Sequence, residues 1–205
     1  MTQNKKIAIT GGIGSGKSAF SSLLRGMGFP VLSCDEINAQ LLSDAEYLAA
    51  LGLRFPECVK DGTLDKEALS ARVFSDQNEL AALEAIAHPI IMRRLIGKMN
   101  EYPVCFAEVP LLYEGGYETL FDAVVALRRS RSERLKAVRA RDGLSDGQIL
   151  ARMAKQLNAE ELEKKDCILV DNDGDLSALA QKAKAVLALL AAKFPDFSGY
   201  FQIKE

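Results

Sequence analysis

The sequence predicts an α/β fold of three layers, with a five-stranded parallel sheet between two layers of helices. Short apolar runs alternate along the chain with segments in which apolar residues recur at helical spacing, and this alternation is typical of parallel sheets. A glycine-rich loop joins the first apolar run to the first helical segment. The 205 residues are enough for one sizeable core, so we expect a single domain over residues 1–205.

Five apolar runs are the predicted strands. Each is short and is followed by a glycine, a proline or a charged residue, as expected for strands that are buried on both faces. The runs are Lys6–Thr10, Phe29–Cys34, Val104–Val109, Asp122–Leu127 and Cys167–Val170. Because helical segments separate them, the sheet is predicted to be parallel.

Helical spacing is clearest after the first strand and after the last. Residues Lys17–Gly28 place their apolar side chains on one face, and Gly28 is expected to end the helix. A second helix is predicted over 36–42, with the Asp35 side chain capping its first turn. The final helix is predicted over 176–193, and residues 194–205 are predicted to be a loosely held tail.

Three regions are predicted within the domain. The core comprises residues 5–43, 101–127 and 165–193, which carry the strands. Residues 44–100 show helical spacing interrupted by turn signals and contain no convincing strand, so we expect a helical insertion beside the sheet. Residues 128–164 are predicted to form a helical lid.

Composition and charge disfavour several classes of protein. Hydrophobic residues make up 48% and charged residues 26% of the chain, which is typical of a folded globular protein. The net charge of -2 gives no general attraction to nucleic acid or to a membrane surface.

The four cysteines form no CxxC pair, which disfavours a zinc site. No apolar run is long enough to span a bilayer and no leader is recognisable, so we expect a cytoplasmic protein.

The strongest local signal is Gly11–Ser18, which matches the phosphate-binding pattern G-x-x-x-x-G-K-[ST] at every position. Glycines allow backbone conformations with positive φ and let amide groups approach phosphate oxygens. The helix that begins near Lys17 adds its positive end. Lys17 can bridge the β- and γ-phosphates, and the Ser18 hydroxyl can ligate Mg²⁺.

This P-loop predicts a site for a nucleoside triphosphate. A kinase, a GTPase and an ATP-driven machine all remain compatible with the loop by itself. The residues predicted to contact ATP in and beside the loop are Gly12, Ile13, Gly14, Ser15, Gly16, Lys17, Ser18 and Ala19.

Two carboxylates and one histidine are candidates for the chemistry beside the loop. Asp35 follows the second strand, at the sheet edge where ligands gather, and can accept a proton from an attacking hydroxyl; a plain helix cap is the alternative. Glu108 ends the third strand and can face a metal ion, or else is a solvated strand end. His88, the only histidine, can bind substrate or simply pack, and Pro89 after it disfavours helix at His88.

Residues 128–141 contain seven cationic side chains and a single acid, Glu133. They lead into a turn that begins at Arg141. Such runs are usually solvated helix faces. This one directly follows a predicted strand of the nucleotide-binding sheet, so a lid that clamps phosphate is the alternative. Arginine side chains in a closing lid can stabilise charge on a transferred phosphoryl group.

Taken together, these motifs resemble those of the dephospho-CoA kinase family of P-loop small-molecule kinases. The resemblance runs in order from the P-loop to the turn after the last strand and so covers almost the whole domain. The matching elements are Thr10–Ser18, Asp35, His88–Ile90, Val109–Glu114, Arg141–Asp142, Arg152 with Gln156, and Val170–Asn172 with Gly174.

The resemblance implies a reaction, the last step of coenzyme A biosynthesis. Members of the family transfer the γ-phosphate of ATP to the ribose 3′-hydroxyl of dephospho-CoA, which yields CoA and ADP. It implies that Asp35 activates the acceptor hydroxyl while Lys17 aligns the phosphate, with Mg²⁺ bound at Ser18.

It also implies contacts for both substrates. Arg141 and Arg152 would meet ATP phosphates from the lid, and Asn172 would lie near the adenine. The acceptor pocket would be formed by Asp35 and His88 together with a turn that contains Pro110, Leu111, Leu112 and Glu114. ATP and dephospho-CoA are thus the expected partners, with no nucleic acid and no membrane.

Two departures from the family pattern concern the lid. The strand before it commonly ends in an acid, whereas here it runs into Leu127–Arg129. Ala137 stands where an arginine is expected, so no role is carried over to Arg134 or Arg139.

Two other functions remain open from the sequence. A nucleoside monophosphate kinase shares a P-loop and a lid, but the His88–Pro89 and Pro110–Glu114 elements favour dephospho-CoA kinase. A regulatory GTPase is the second, because Asp171–Gly174 spells D-x-x-G. That element follows the last strand instead of lying soon after the P-loop, and no N-K-x-D motif for guanine is present.

Overall fold

A computed structural model describes residues 4–195 of the chain. The chain divides into two compact units, one formed by Met1–Val31 with Met99–Glu205 and the other by Leu32–Lys98. The finer division into core, insertion and lid stays a prediction.

The strands and helices of the described chain alternate for most of its length. The strands are β1 (Lys5–Thr10), β2 (Val31–Ser33), β3 (Val59–Lys60), β4 (Thr63–Leu64), β5 (Val104–Glu108), β6 (Ala123–Arg128) and β7 (Ile168–Asp171). The α-helices are α1 (Lys17–Gly26), α2 (Cys34–Leu41), α3 (Ala45–Arg54), α4 (Lys66–Ser75), α5 (Gln77–Met99), α6 (Arg131–Asp142), α7 (Asp146–Met153), α8 (Ala159–Glu163) and α9 (Leu176–Lys193).

The main sheet has five strands in the order β2-β5-β1-β6-β7. Parallel pairing places Ile9 of β1 beside Glu108 of β5, and Arg128 of β6 beside Asp171 of β7. Because β1 is central and parallel to its neighbours, the residues that follow β1, β5 and β6 meet at one edge. The predicted α/β fold with a five-stranded parallel sheet is confirmed.

The core of the first unit lies between this sheet and the helices α1 and α9. Ile7, Ile9 and Phe106 of the sheet are fully buried, as are Phe20 and Leu24 of α1. Burying side chains of this size contributes roughly 1.5–3 kcal/mol each. This packing fixes the start of α1, and therefore the P-loop, against the carboxyl end of β1.

The second unit is mainly helical, and it corrects two predictions. A short antiparallel hairpin pairs β3 with β4, where the sequence showed only a turn signal. Helix α5 continues through His88 and Pro89, although proline was expected to disfavour helix there. Ala85 and Pro89 are both exposed, so water can hydrate the carbonyl that loses its bond to Pro89.

The predicted cap of the second helix is also wrong. Helix α2 begins at Cys34, and the side chain of Ser33 accepts hydrogen bonds from the amides of Asp35 and Glu36. A serine two residues earlier accepts free amide donors of the helix end, so Asp35 lies inside the first turn and does not cap it.

At the C-terminal end of the chain, α9 has the predicted bounds. Phe194 packs against the core, which corrects its placement in a loose tail, and residues 196–205 lie outside the described residues. Within residues 4–195, no helix is long and apolar enough to cross a membrane.

Candidate active site

The P-loop wraps around the amino group of its own lysine. Lys17 Nζ donates to the carbonyl oxygens of Gly11 at 2.8 Å and Gly12 at 3.2 Å. The amide of Ser15 also donates to the Gly12 carbonyl, at 3.1 Å. The loop is thus closed on itself, with a cation at its centre.

Two glycines of the loop permit close approaches that no other residue allows. Gly14 has φ 75° and Gly16 has φ 97°, in the left-handed region that favours glycine. A Cβ atom on Gly16 would collide with the Asn172 side chain, and one on Gly14 would press on the backbone of Arg134. The glycine pattern therefore serves packing around the loop as well as its backbone turn.

Three side chains from distant parts of the unit hold the outside of the loop. Gln156 Oε1 accepts the amide of Ile13 at 2.7 Å, and Arg134 Nε donates to the Ile13 carbonyl at 2.8 Å. Asn172, which is buried after β7, donates to the Ser15 carbonyl at 2.9 Å. The predicted site residues Ile13, Ser15 and Asn172 are thus brought together by the fold.

A hydroxyl and a carboxylate meet at the start of α1. Ser18 Oγ donates to Glu108 Oε1 at 3.0 Å, and Ser21 Oγ donates to Glu108 Oε2 at 3.1 Å. Glu108 is half-buried and Ser18 is exposed, so the group is open to solvent on one side. The sequence allowed Glu108 to face a metal ion or to be a solvated strand end. Its contacts with two serines of α1 favour the first role.

The turn after β5 packs on the first residues of the loop. Leu111 takes a positive φ of 54°, which is strained for a branched side chain and is typical of functional turns. Together with Glu114 it lines a narrow crevice that also includes Thr10 and Gly11. Glu114 Oε1 accepts the amide of Leu157 at 2.8 Å, which ties this turn to the residues after α7. Pro110 is half-buried and Leu112 is fully buried.

Most cations of residues 128–141 are neutralised by acids. The pairs are Arg128 with Asp171 and Glu163, Arg129 and Lys136 with Glu133, Arg139 with Asp146, and Arg141 with Asp142. The Arg128 guanidinium holds the pKa of Asp171 below its ordinary value. Arg134 differs from these, because it is half-buried and has no carboxylate partner within residues 4–195, and burial lowers its pKa.

A cleft of about 740 Å³ lies beside Arg134. Arg129 and Asp173 line one part of it, and Met153 and Leu157 supply apolar surface. A mixture of cationic and apolar lining suits a ligand with a flat apolar group and negative charge.

Two predicted lid residues are exposed on helices α6 and α7. Arg141 is exposed and binds Asp142 at 2.7 and 2.9 Å. Arg152 is exposed on α7, and no contact of its side chain with the loop is found in the described part of the chain. Sequence reasoning missed the contact that Arg134 makes, since its only signal was membership of a long basic run.

The remaining predicted residues belong to the second unit. Asp35 is exposed in the first turn of α2, and its carboxylate has no hydrogen-bond or ion-pair partner among the described residues. His88 is half-buried in α5. With the capping role taken by Ser33, Asp35 is left available for chemistry.

Gly16→Ala tests the close approach at the loop. We expect the free energy of unfolding to fall by about 1–3 kcal/mol, because the methyl group would strain a left-handed backbone and displace Asn172. Denaturant titration measures this change, and ATP binding should weaken as well.

Gly97→Ala is the matched control, because Gly97 lies in α5 and a Cβ atom there meets open space. The same change should raise the free energy of unfolding by about 0.5–1 kcal/mol. Equal effects of the two substitutions would contradict the special role of Gly16.

Comparison with known proteins identifies relatives along most of the chain. The family model described as dephospho-CoA kinase matches residues 5–178. A dephospho-CoA kinase of Thermus thermophilus is 42% identical over 186 residues, which is 90% of this chain and 91% of that protein.

Among solved structures, one likeness is to a protein of the same family and another is to a kinase of a different family. Dephospho-CoA kinase from Campylobacter jejuni superposes with a TM-score of 0.69 at 26% identity, over 93% of this chain and 99% of that one. Shikimate kinase from Acinetobacter baumannii has a TM-score of 0.58 at 13% identity, over 94% and 96% of the two chains. The second likeness concerns the fold alone.

Proposed function

The chain belongs to the dephospho-CoA kinase family, and we propose that it phosphorylates the ribose 3′-hydroxyl of dephospho-CoA with Lys17, Ser18, Asp35 and Glu108 in the reacting centre. It is an ATP-dependent phosphotransferase with a hydroxyl acceptor. The family match over residues 5–178 carries this conclusion, and the nucleoside monophosphate kinase alternative is not favoured.

The loop supplies the binding of the triphosphate. Within residues 4–195 the amides of Gly14 and Gly16 have no acceptor, and such amides bind phosphate oxygens. Lys17 already sits at the centre of the loop. On binding, its ammonium exchanges the carbonyls of Gly11 and Gly12 for the β- and γ-phosphates and so offsets charge on the transferred group.

Ser18 and Glu108 fit a magnesium ion that is shared with the phosphates. Mg²⁺ prefers oxygen ligands and usually takes only one or two from the protein, and here a hydroxyl lies 3.0 Å from a carboxylate. The described residues contain no cluster of three or more potential metal ligands from His, Cys, Asp and Glu, as suits an ion held largely by phosphate and water. The ion would neutralise charge on the β- and γ-phosphates.

Asp35 is the proposed general base. Its exposed carboxylate has no partner among the described residues and no capping role, so it can take the proton of the acceptor hydroxyl. We further propose that His88 and the turn residues Pro110–Glu114 bind dephospho-CoA.

The remaining ATP contacts are assigned to the lid side of the loop. Arg141 and Arg152 approach the phosphates when the nucleotide binds, and the adenosine occupies the 740 Å³ cleft beside Asn172. Because the enzyme consumes ATP, we place it in the cytoplasm.

Substrate choice is tested by measuring ADP release from ATP with dephospho-CoA and with a panel of nucleoside monophosphates. We expect acceptor-dependent turnover only with dephospho-CoA. Turnover confined to a nucleoside monophosphate would overturn the proposed acceptor, and equal binding of GTP and ATP without any acceptor dependence would favour a GTPase.

Glu108→Gln tests the magnesium site. We expect the Mg²⁺ concentration for half-maximal activity to rise on the order of 10-fold or more, because a carboxylate that holds the ion or its water becomes a neutral amide. Activity is measured against total Mg²⁺ at fixed ATP. Glu101→Gln, at an exposed position before β5, should leave this concentration unchanged, and a similar rise in both variants would argue against the site.

A further inference from the structure

The two peptide groups at the tip of the P-loop are held from outside by a pair of lid residues. The amide of Ile13 donates to Gln156 Oε1 at 2.7 Å, and the carbonyl of Ile13 accepts from Arg134 Nε at 2.8 Å. Arg134 Nη2 also donates to Gln156 Oε1, at 3.2 Å. Arg134, Gln156 and the Ile13 backbone therefore form one closed hydrogen-bonded ring.

This ring fixes the direction of the next amide along the chain. In a planar trans peptide the C=O and N–H bonds point in opposite directions. Since the Ile13 carbonyl is turned outward to Arg134, the Gly14 N–H is turned away from Arg134, toward the inside of the loop. The same rule holds for the preceding peptide, where the Ile13 N–H points outward and the Gly12 carbonyl points inward to Lys17.

Asn172 does the same for a second amide. It holds the Ser15 carbonyl at 2.9 Å, so the Gly16 N–H points to the opposite side of that peptide. In the described part of the chain neither the Gly14 nor the Gly16 amide has an acceptor. Two glycine donors are thus oriented by side chains that are 121 and 157 residues away from the carbonyls they bind.

The environment of Arg134 differs from that of an arginine in a surface ion pair. The guanidinium is half-buried, burial lowers its pKa, and within residues 4–195 no carboxylate neutralises it. Its fork allows one side chain to bind the Ile13 carbonyl and the Gln156 amide together. The cation therefore polarises a P-loop peptide directly, with no acid between them.

We propose that Arg134, held by Gln156, is a positioning residue that turns the Gly14 N–H toward the nucleotide phosphates before the nucleotide binds. Preorganised donors bind phosphate without the cost of reorienting a peptide on arrival. This inference rests on the proposed function, because it concerns the phosphate site of that same enzyme.

The test is a titration with ADP alone, followed through the ¹H–¹⁵N signals of the loop glycines. In the unsubstituted chain we expect the Gly14 and Gly16 amide protons both to move downfield as they bind phosphate. In Arg134→Met the Gly14 shift should be largely lost while the Gly16 shift persists, and ADP affinity should fall about 10-fold. Asn172→Ala should show the reciprocal pattern.

Two further variants complete the design. Arg139→Met removes an exposed arginine of the same helix, which pairs with Asp146, and should change neither shift. Arg134→Lys keeps the charge and a donor but not the fork, so its ADP affinity should lie between those of the unsubstituted chain and Arg134→Met.

The outcomes separate this inference from the function it rests on. If the unsubstituted chain bound no ADP, the proposed nucleotide site itself would fail. If it bound ADP and Arg134→Met kept the full Gly14 shift, or lost the Gly16 shift equally, the positioning role would be overturned. A lysine variant no better than the methionine variant would also overturn it.

Discussion

Lys17→Ala should lower kcat/KM for ATP on the order of 10²- to 10³-fold, the range expected when one preorganised donor to a developing charge is removed. The amino group lies at the centre of the P-loop, 2.8 Å from the Gly11 carbonyl. An alanine leaves the transferred phosphoryl group without its cation, and also removes the ammonium donor from the inward carbonyls of Gly11 and Gly12. Steady-state ADP release at saturating dephospho-CoA measures the loss.

Lys184→Ala is the matched control for Lys17→Ala. Lys184 is an exposed lysine on α9, so its removal changes the net charge by the same amount without touching the loop. We expect unchanged kinetics and an unchanged melting temperature. If Lys17→Ala kept more than about a tenth of the activity, the loop lysine would not be aligning the phosphate.

Asp35→Asn should lower kcat by about 10²-fold or more, in the range that a general base contributes. The amide has the shape of the carboxylate but cannot accept the hydroxyl proton. Because Asp35 lies outside the P-loop, ATP affinity should stay within a few-fold of its original value. Single-turnover kinetics with both substrates, together with a calorimetric titration of ATP, separate the two effects.

Glu36→Gln is the control for the general base. Glu36 is exposed in the same helical turn, and its amide also donates to Ser33, so a structural effect on α2 would be similar in both variants. We expect Glu36→Gln to keep its turnover. Normal turnover in Asp35→Asn would leave that carboxylate without a role in proton transfer.

Several parts of the protein follow from local sequence. The P-loop pattern identifies the phosphate site because its chemistry needs glycine, lysine and serine at fixed spacing. The five strands are recognisable because buried parallel strands must be continuously apolar, and α9 has its predicted bounds because its apolar spacing is regular between Asp175 and Lys193. Each of these features depends on residues that are close together in the chain.

Other features depended on competition between local signals. Ser33 and Asp35 are both good helix caps, and the sequence does not rank them, whereas the backbone conformation at Ser33 is extended as a cap requires. Pro89 disfavours helix locally, but Ala87, Ile91 and Leu95 of α5 are buried, and this burial stabilises the helix. Packing over a whole helix outweighs the loss of one hydrogen bond.

Sequence alone therefore determined the fold class, the family and the loop that binds phosphate, because these are written in short contiguous patterns. Only the tertiary structure decided which distant side chains hold that loop. The contacts of Ile13 with Arg134 and with Gln156 span 121 and 143 residues, and those of Ser15 with Asn172 span 157. No periodicity links such positions, since they are brought together by the packing of whole elements against one edge of the sheet.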